Sequence, residues 1–152
     1  MSEKKIYAGF WIRLLAGFLD ILFLAPFLAI LFSSLGITEF QNVTLENFIQ
    51  KYNDSAAETN SSDLIIYGLS ILYATFFIHS SQQATLGKRL VRIYVGNPDG
   101  SKLSLAKSIA RALMSIVTSA TLGLGFLLVI FTKEKTALHD LVCNTRVFHG
   151  KK

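Results

Sequence analysis

Asp20 is the first residue in this sequence whose position could carry chemistry, because it interrupts the apolar run 11–35. An ionisable group inside such a run costs roughly 3 kcal/mol to insert and normally faces a cavity or a partner. A carboxylate there can bind a proton or a monovalent cation and couple protonation to movement; the alternative is a fixed ion pair or a helix–helix hydrogen bond. Arg13 lies seven residues earlier, two helical turns away and about 10 Å along the axis, too far for an easy direct bridge. It is predicted to snorkel to the headgroups. Arg111 is the preferred partner for Asp20, ahead of Lys107 or a backbone terminus of another segment.

His139-Asp140 sets an imidazole beside a carboxylate, a pair able to serve acid–base chemistry or metal binding. Neighbours on a helix do not face one another. The favoured reading therefore makes Asp140 a turn cap or the partner of a basic residue in a cytoplasmic loop. Lys88, Arg89 and Arg92 form a basic stretch between apolar runs, where anionic lipid headgroups are more natural partners than nucleic acid. The sequence holds no Gly-x-Ser-x-Gly, no phosphate-binding loop, no HExxH and no paired zinc-ligand motif, so no enzyme, cofactor or metal is expected. Cys143 is the single cysteine and is expected as a free thiol with a structural role.

These residues need helices in lipid to position them. Of 152 residues, 51% are hydrophobic and 16% charged, against about 25% charged in soluble domains. The apolar residues cluster in long runs, as spanning helices require. A first span is predicted over 11–35, kinked at Pro26, and is expected to remain as an anchor. An acidic extracytoplasmic loop follows over 39–63, with a short amphipathic helix near 45–52. A second span is predicted over 64–81 and a basic cytoplasmic loop over 84–102. In that loop, 90–95 alternates like a strand and Asn97-Pro98-Asp99-Gly100 signals a turn.

The run 103–132 opens with an amphipathic segment. Ser104, Lys107, Ser108, Arg111 and Ser115 make its polar stripe, and Leu105, Ile109, Ala112, Leu113 and Ile116 its apolar face, as in a helix lying flat at the interface. Lys and Arg flank the N-terminus, the central loop and the tail 133–152, which places all three in the cytoplasm. A third simple span would put the tail outside. An even number of crossings resolves this, with 103–132 folding as a hairpin or re-entrant pair that turns near 122–125. The tail segment 144–148 would then meet 90–95 in a small sheet. The fold class is thus an all-α polytopic membrane protein with three to four membrane-embedded helical segments and a small cytoplasmic β-like ribbon.

The stretch Ala8-Gly9-Phe10-Trp11-Ile12-Arg13 running on to Asp20, the segment Ala84-Thr85-Leu86-Gly87-Lys88-Arg89-Leu90, and Ala137-Leu138-His139-Asp140 together resemble the bacterial RDD family over residues 8–148. That family is named for one arginine and two aspartates, and the resemblance assigns them to Arg13, Asp20 and Asp140. It implies a multi-pass protein of the bacterial cytoplasmic membrane with its N-terminus inside. Some members resemble small antiporters that exchange Na+, Li+ or K+ for protons, and others accessory or assembly subunits of membrane complexes. A chain this small would work as a homo-oligomer or within a larger assembly.

Overall fold

The structure is a computed structural model and describes residues 6–34, 61–121 and 124–150. The acidic loop to residue 60 and the amphipathic helix expected near 45–52 lie outside the described residues. Helix α1, Phe10–Ser34, runs unbroken through Pro26. It is long and apolar enough to cross a membrane, and only 6% of its most apolar window is buried. A core helix of a soluble domain would hide most of that surface, so α1 is built for lipid.

Helix α2, Ser61–His79, is apolar over Leu64–His79. The chain then turns at residues 80–84 into a single helical turn, α3 (Leu86–Leu90), and strand β1 (Ile93–Gly96). The Asn97–Gly100 turn closes with an amide-to-carbonyl bond of 2.7 Å, with Gly100 at φ +79°. Helix α4, Leu105–Ala120, starts on a Ser104 cap and is followed by α5, Leu124–Phe131. Helix α6 (Leu138–Val142) and strand β2 (Arg146–His149) end the described chain.

β1 and β2 pair antiparallel with Tyr94 opposite Phe148 and Val95 opposite Val147. Tyr7 adds a bridge to Phe148, and the Ala8 amide donates to the Val147 carbonyl at 2.9 Å. The N-terminus, the central segment and the tail therefore lie on one side of any membrane that α1 crosses. Ala8, Ala16, Ile78, Ile93, Val95, Leu103 and Val147 form the small core that fastens this sheet to α1 and α2. The expected ribbon is present, with its strands starting three and two residues later than 90–95 and 144–148 and each ending one residue later.

The shared side has a topological consequence. The chain between residues 96 and 146 must cross an even number of times or not at all. At eight residues, α5 measures about 12 Å, well short of a ~30 Å hydrocarbon core. Helix α4 ends at Ala120 and α5 begins at Leu124; residues 122 and 123, where the turn was expected to begin, lie outside the described residues.

Helix α4 has the expected amphipathy, with its polar stripe turned into the molecule. Ser108, Arg111 and Thr118 are buried, whereas Leu105, Ile109, Leu113 and Val117 are between 39% and 52% exposed. Polar in and apolar out is the reverse of a soluble amphipathic helix. The polar face of α4 is spent inside the molecule.

Candidate functional site

Helix α1 presents one inward stripe, Arg13, Ala16 and Asp20, at i, i+3 and i+7. Two charge centres form where that stripe meets the rest of the chain. The first is built on Asp140 in α6, which is 0% exposed, with Arg13 and Arg111 at 6% and 5%. Arg13 Nη1 donates to Asp140 Oδ2, Nη2 to the Lys135 carbonyl and Nε to the Ala8 carbonyl at 2.9 Å. Arg111 donates to Asp140 Oδ1 through Nη2 at 2.7 Å and Nε at 3.1 Å. The Ala137 amide reaches Oδ2 at 3.2 Å and the Thr145 hydroxyl reaches Oδ1 at the same distance.

Burial alone would raise the Asp140 carboxyl, but the Arg111 and Arg13 guanidiniums outweigh it and hold the group well below the usual carboxylate range. His139 lies alongside, its Nε2 3.6 Å from Asp140 Oδ1 and its Nδ1 3.3 Å from the Thr118 hydroxyl. Burial, with Arg111 next in weight, pushes this imidazole down to about 3. It is neutral at physiological pH, so the contact with Asp140 is no ion pair.

The second centre is built on Asp20. Its Oδ1 accepts from the Tyr73 hydroxyl at 2.9 Å and the Gly87 amide at 2.8 Å, and its Oδ2 from the Thr85 hydroxyl at 2.6 Å. Tyr73 in turn accepts the Leu86 amide at 3.1 Å. The first amides of a helix have no partner within it and attract an anion. Thr85, at the N-cap of α3, makes no side-chain cap bond; Asp20 supplies the cap from another helix. Lys88 Nζ stands 3.8 Å from Asp20 Oδ2, and burial lowers its ammonium to about 8.

Gly87 is what allows this approach. A Cβ there would sit 2.2 Å from the Ala16 carbonyl oxygen and 2.7 Å from the Asp20 amide, so only glycine lets α3 touch the α1 backbone.

Several expected placements are corrected. Arg111 meets Asp140 and not Asp20, because the inward face of α4 points at α6. Lys107 donates to the Asn97 side chain at 2.6 Å and is no partner of Asp20. Arg13 does not snorkel to headgroups; it is buried against Asp140. Asp140 does take a turn amide, but its basic partners come from α1 and α4 and not from a cytoplasmic loop. Of the partners considered for Asp20, a backbone terminus is the one present. Lys88 turns toward Asp20, while Arg89 and Arg92 are exposed. Cys143 is a buried free thiol.

Tyr73, Thr118 and Thr145 went unrecognised in the sequence, and Thr85 and Gly87 entered only as part of the resembling segment 84–90, with no role. The usable signal was Tyr73, a hydroxyl in an apolar run that must find a partner. Among the described residues no group of three or more His, Cys, Asp or Glu side chains is placed to hold a metal ion.

Arg13, Asp20 and Asp140, joined through the two centres, are the three charges of the resemblance, and the RDD family profile matches residues 7–144. The chain belongs to the RDD family. Two relatives from Bacillus subtilis (strain 168) are similar to it along most of their lengths. The uncharacterized protein YxaI is 34% identical over 149 residues, covering 93% of this chain and 97% of its own. The uncharacterized protein YckC is 31% identical over 149 residues, covering 94% of this chain and 85% of its own. No solved structure matches this RDD protein.

Proposed function

We propose that this RDD protein is a non-catalytic accessory or assembly module of the bacterial cytoplasmic membrane, in which the three motif charges fasten membrane helices to a cytoplasmic cap. The observation that carries this reading is the engagement of every oxygen of both motif carboxylates. Each oxygen of Asp20 and of Asp140 already accepts from a donor of this chain. A carboxylate tied through both oxygens fixes geometry. The outward apolar stripes of α1 and α4 fit lipid or the helices of a partner, including a second copy of the chain. Multi-pass insertion, with α2 and the α4–α5 pair embedded beside α1, completes the arrangement, and the basic N-terminus and tail place the cap in the cytoplasm.

The experiment expresses wild type, Asp20→Asn and Asp140→Asn in bacterial membranes and measures the folded fraction by fluorescence-detected size exclusion. Both variants are expected to lose folded protein. Full retention of fold in Asp20→Asn, with changed tolerance of the cells to Na+ or Li+, would contradict the module reading.

A second reading, exchange of a monovalent cation for a proton, rests on Lys88. An ammonium lowered to about 8 and standing 3.8 Å from a carboxylate can lose its proton at mildly alkaline pH and leave Asp20 beside a vacated positive position. Lys88→Met would then abolish cation-driven proton movement while preserving the fold.

A further inference from the structure

We propose that the cavity between α1, α3 and β1 is a binding site for an anionic phospholipid of the cytoplasmic leaflet, its phosphate held by Arg89 and Arg92. The inference rests on the membrane-module reading and gives it a specific lipid contact. The cavity has a volume of about 480 Å3, within the range of small-ligand sites. It is too small for a whole diacyl lipid and suited to a headgroup, glycerol and the first methylenes.

The lining has two characters. Phe23, Leu86 and Leu90 supply apolar walls, whereas Arg89 and Arg92 are the two basic residues of the same lining. Both arginines are exposed, and among the described residues no carboxylate pairs with either. This contrasts with Arg13, Arg111 and Arg146, each of which has an acidic partner. Two arginines lining one cavity without a carboxylate partner offer the forked donors that phosphate geometry matches.

Arg92 is moreover held at φ +56°, a left-handed conformation that residues with a Cβ rarely adopt. Its carbonyl is tied by the Gly150 amide at 2.8 Å and its amide donates to the Arg89 carbonyl at 3.1 Å. The strained backbone is thus fixed from both sides, and it anchors Arg92 beside Arg89 at the junction of α3 and β1.

The apolar wall identifies the phosphate as part of a lipid. Phe23 is 47% exposed and Leu90 59% exposed, so the cavity opens onto the outward surface of α1, where acyl chains lie. A soluble phosphate would gain nothing from that wall. An acidic protein segment would meet the guanidiniums but leave Phe23 and Leu90 unsatisfied.

The test uses the purified full chain in detergent and native mass spectrometry with phosphatidylglycerol or phosphatidylcholine added at equal concentration. Phosphatidylglycerol is expected to be retained in preference, and Arg89→Gln with Arg92→Gln to weaken it roughly 30-fold, the weight of two arginines on an anionic lipid. Lys133→Gln, at an exposed basic residue outside the cavity lining, should leave retention unchanged. Phe23→Ser should weaken lipid retention, and glycerol 3-phosphate should compete poorly.

Equal retention of the two lipids by wild type overturns the proposal, as does full retention by the double arginine variant. Complete competition by glycerol 3-phosphate with indifference to Phe23→Ser assigns the site to a soluble phosphate and overturns it too. If the arginine variants fail to fold, the wild-type comparison decides alone: phosphatidylglycerol raises the melting temperature more than phosphatidylcholine, or the proposal fails. These outcomes are independent of the folded fraction of Asp20→Asn, so the site and the module reading can fail separately.

Discussion

Asp140→Asn removes the charge that balances two buried guanidiniums while keeping nearly the same shape. Asp140 is 0% exposed, and its Oδ2 takes donors from Arg13 and Ala137. An asparagine must turn its amide nitrogen toward one set of donors, Arg13 or Arg111, so at least one guanidinium loses its acceptor. Breaking a buried pair by deleting one partner costs about 3–5 kcal/mol, because the remaining charge is left uncompensated. A domain of this size has a total stability on the order of 5–15 kcal/mol. At ~2–4 °C per kcal/mol, the melting temperature should fall by roughly 6–20 °C. Thermal unfolding in mild detergent, followed by far-UV circular dichroism, measures this. Arg13→Met together with Asp140→Asn should be less harmful than the sum of the two singles, since each single strands the other's partner. A melting temperature for Asp140→Asn within 2 °C of wild type, on the order of 1 kcal/mol or less, would refute the account of this centre.

Further outcomes follow from the same geometry. Gly87→Ala places a methyl group 2.2 Å from the Ala16 carbonyl oxygen and should abolish monodisperse protein on size exclusion, whereas Gly17→Ala, with nothing within 4 Å, should be silent. Tyr73→Phe deletes one donor to Asp20 and the acceptor of the Leu86 amide, and should cost about 1–3 kcal/mol, read as a fall in melting temperature. Stability should decline on acidification below pH 6.5 and rise between about 8 and 10.5, where the unfolded chain keeps a Lys88 proton that the folded one has lost. Between 6.5 and about 3 the unfolded chain protonates His139 while the folded one does not, so protons favour unfolding. Asp140 adds a second loss below its usual value of 3.8, because its folded carboxyl is held lower still. His139→Gln should flatten the decline between 6.5 and 3.8, as measured by melting temperature against pH.

The apolar runs made helices α1 and α2 legible, and the basic flanks implied the shared side that the β1–β2 pairing produces. The charge partners were not legible, for physical reasons that differ by residue. Arg13 and Asp140 are 127 positions apart, and no spacing rule reaches that far. The cap on α3 stayed hidden because a helix of five residues has too few positions to show a period, and its glycine reads as a breaker until the α1 backbone beside it is seen. Amphipathy of α4 was evident, yet its direction depends on the solvent. With lipid outside and Asp140 inside, the polar stripe turns inward.

The central claim is that the motif charges hold the fold together and do not form a transport path. Reconstituting wild type and Asp20→Asn in vesicles loaded with a pH-sensitive dye, then adding Na+, Li+ or K+, tests it most directly. The account predicts no cation-driven proton movement from folded wild-type protein, and lower stability in the variant. Proton movement by wild type that disappears in a folded, correctly inserted Asp20→Asn would contradict it.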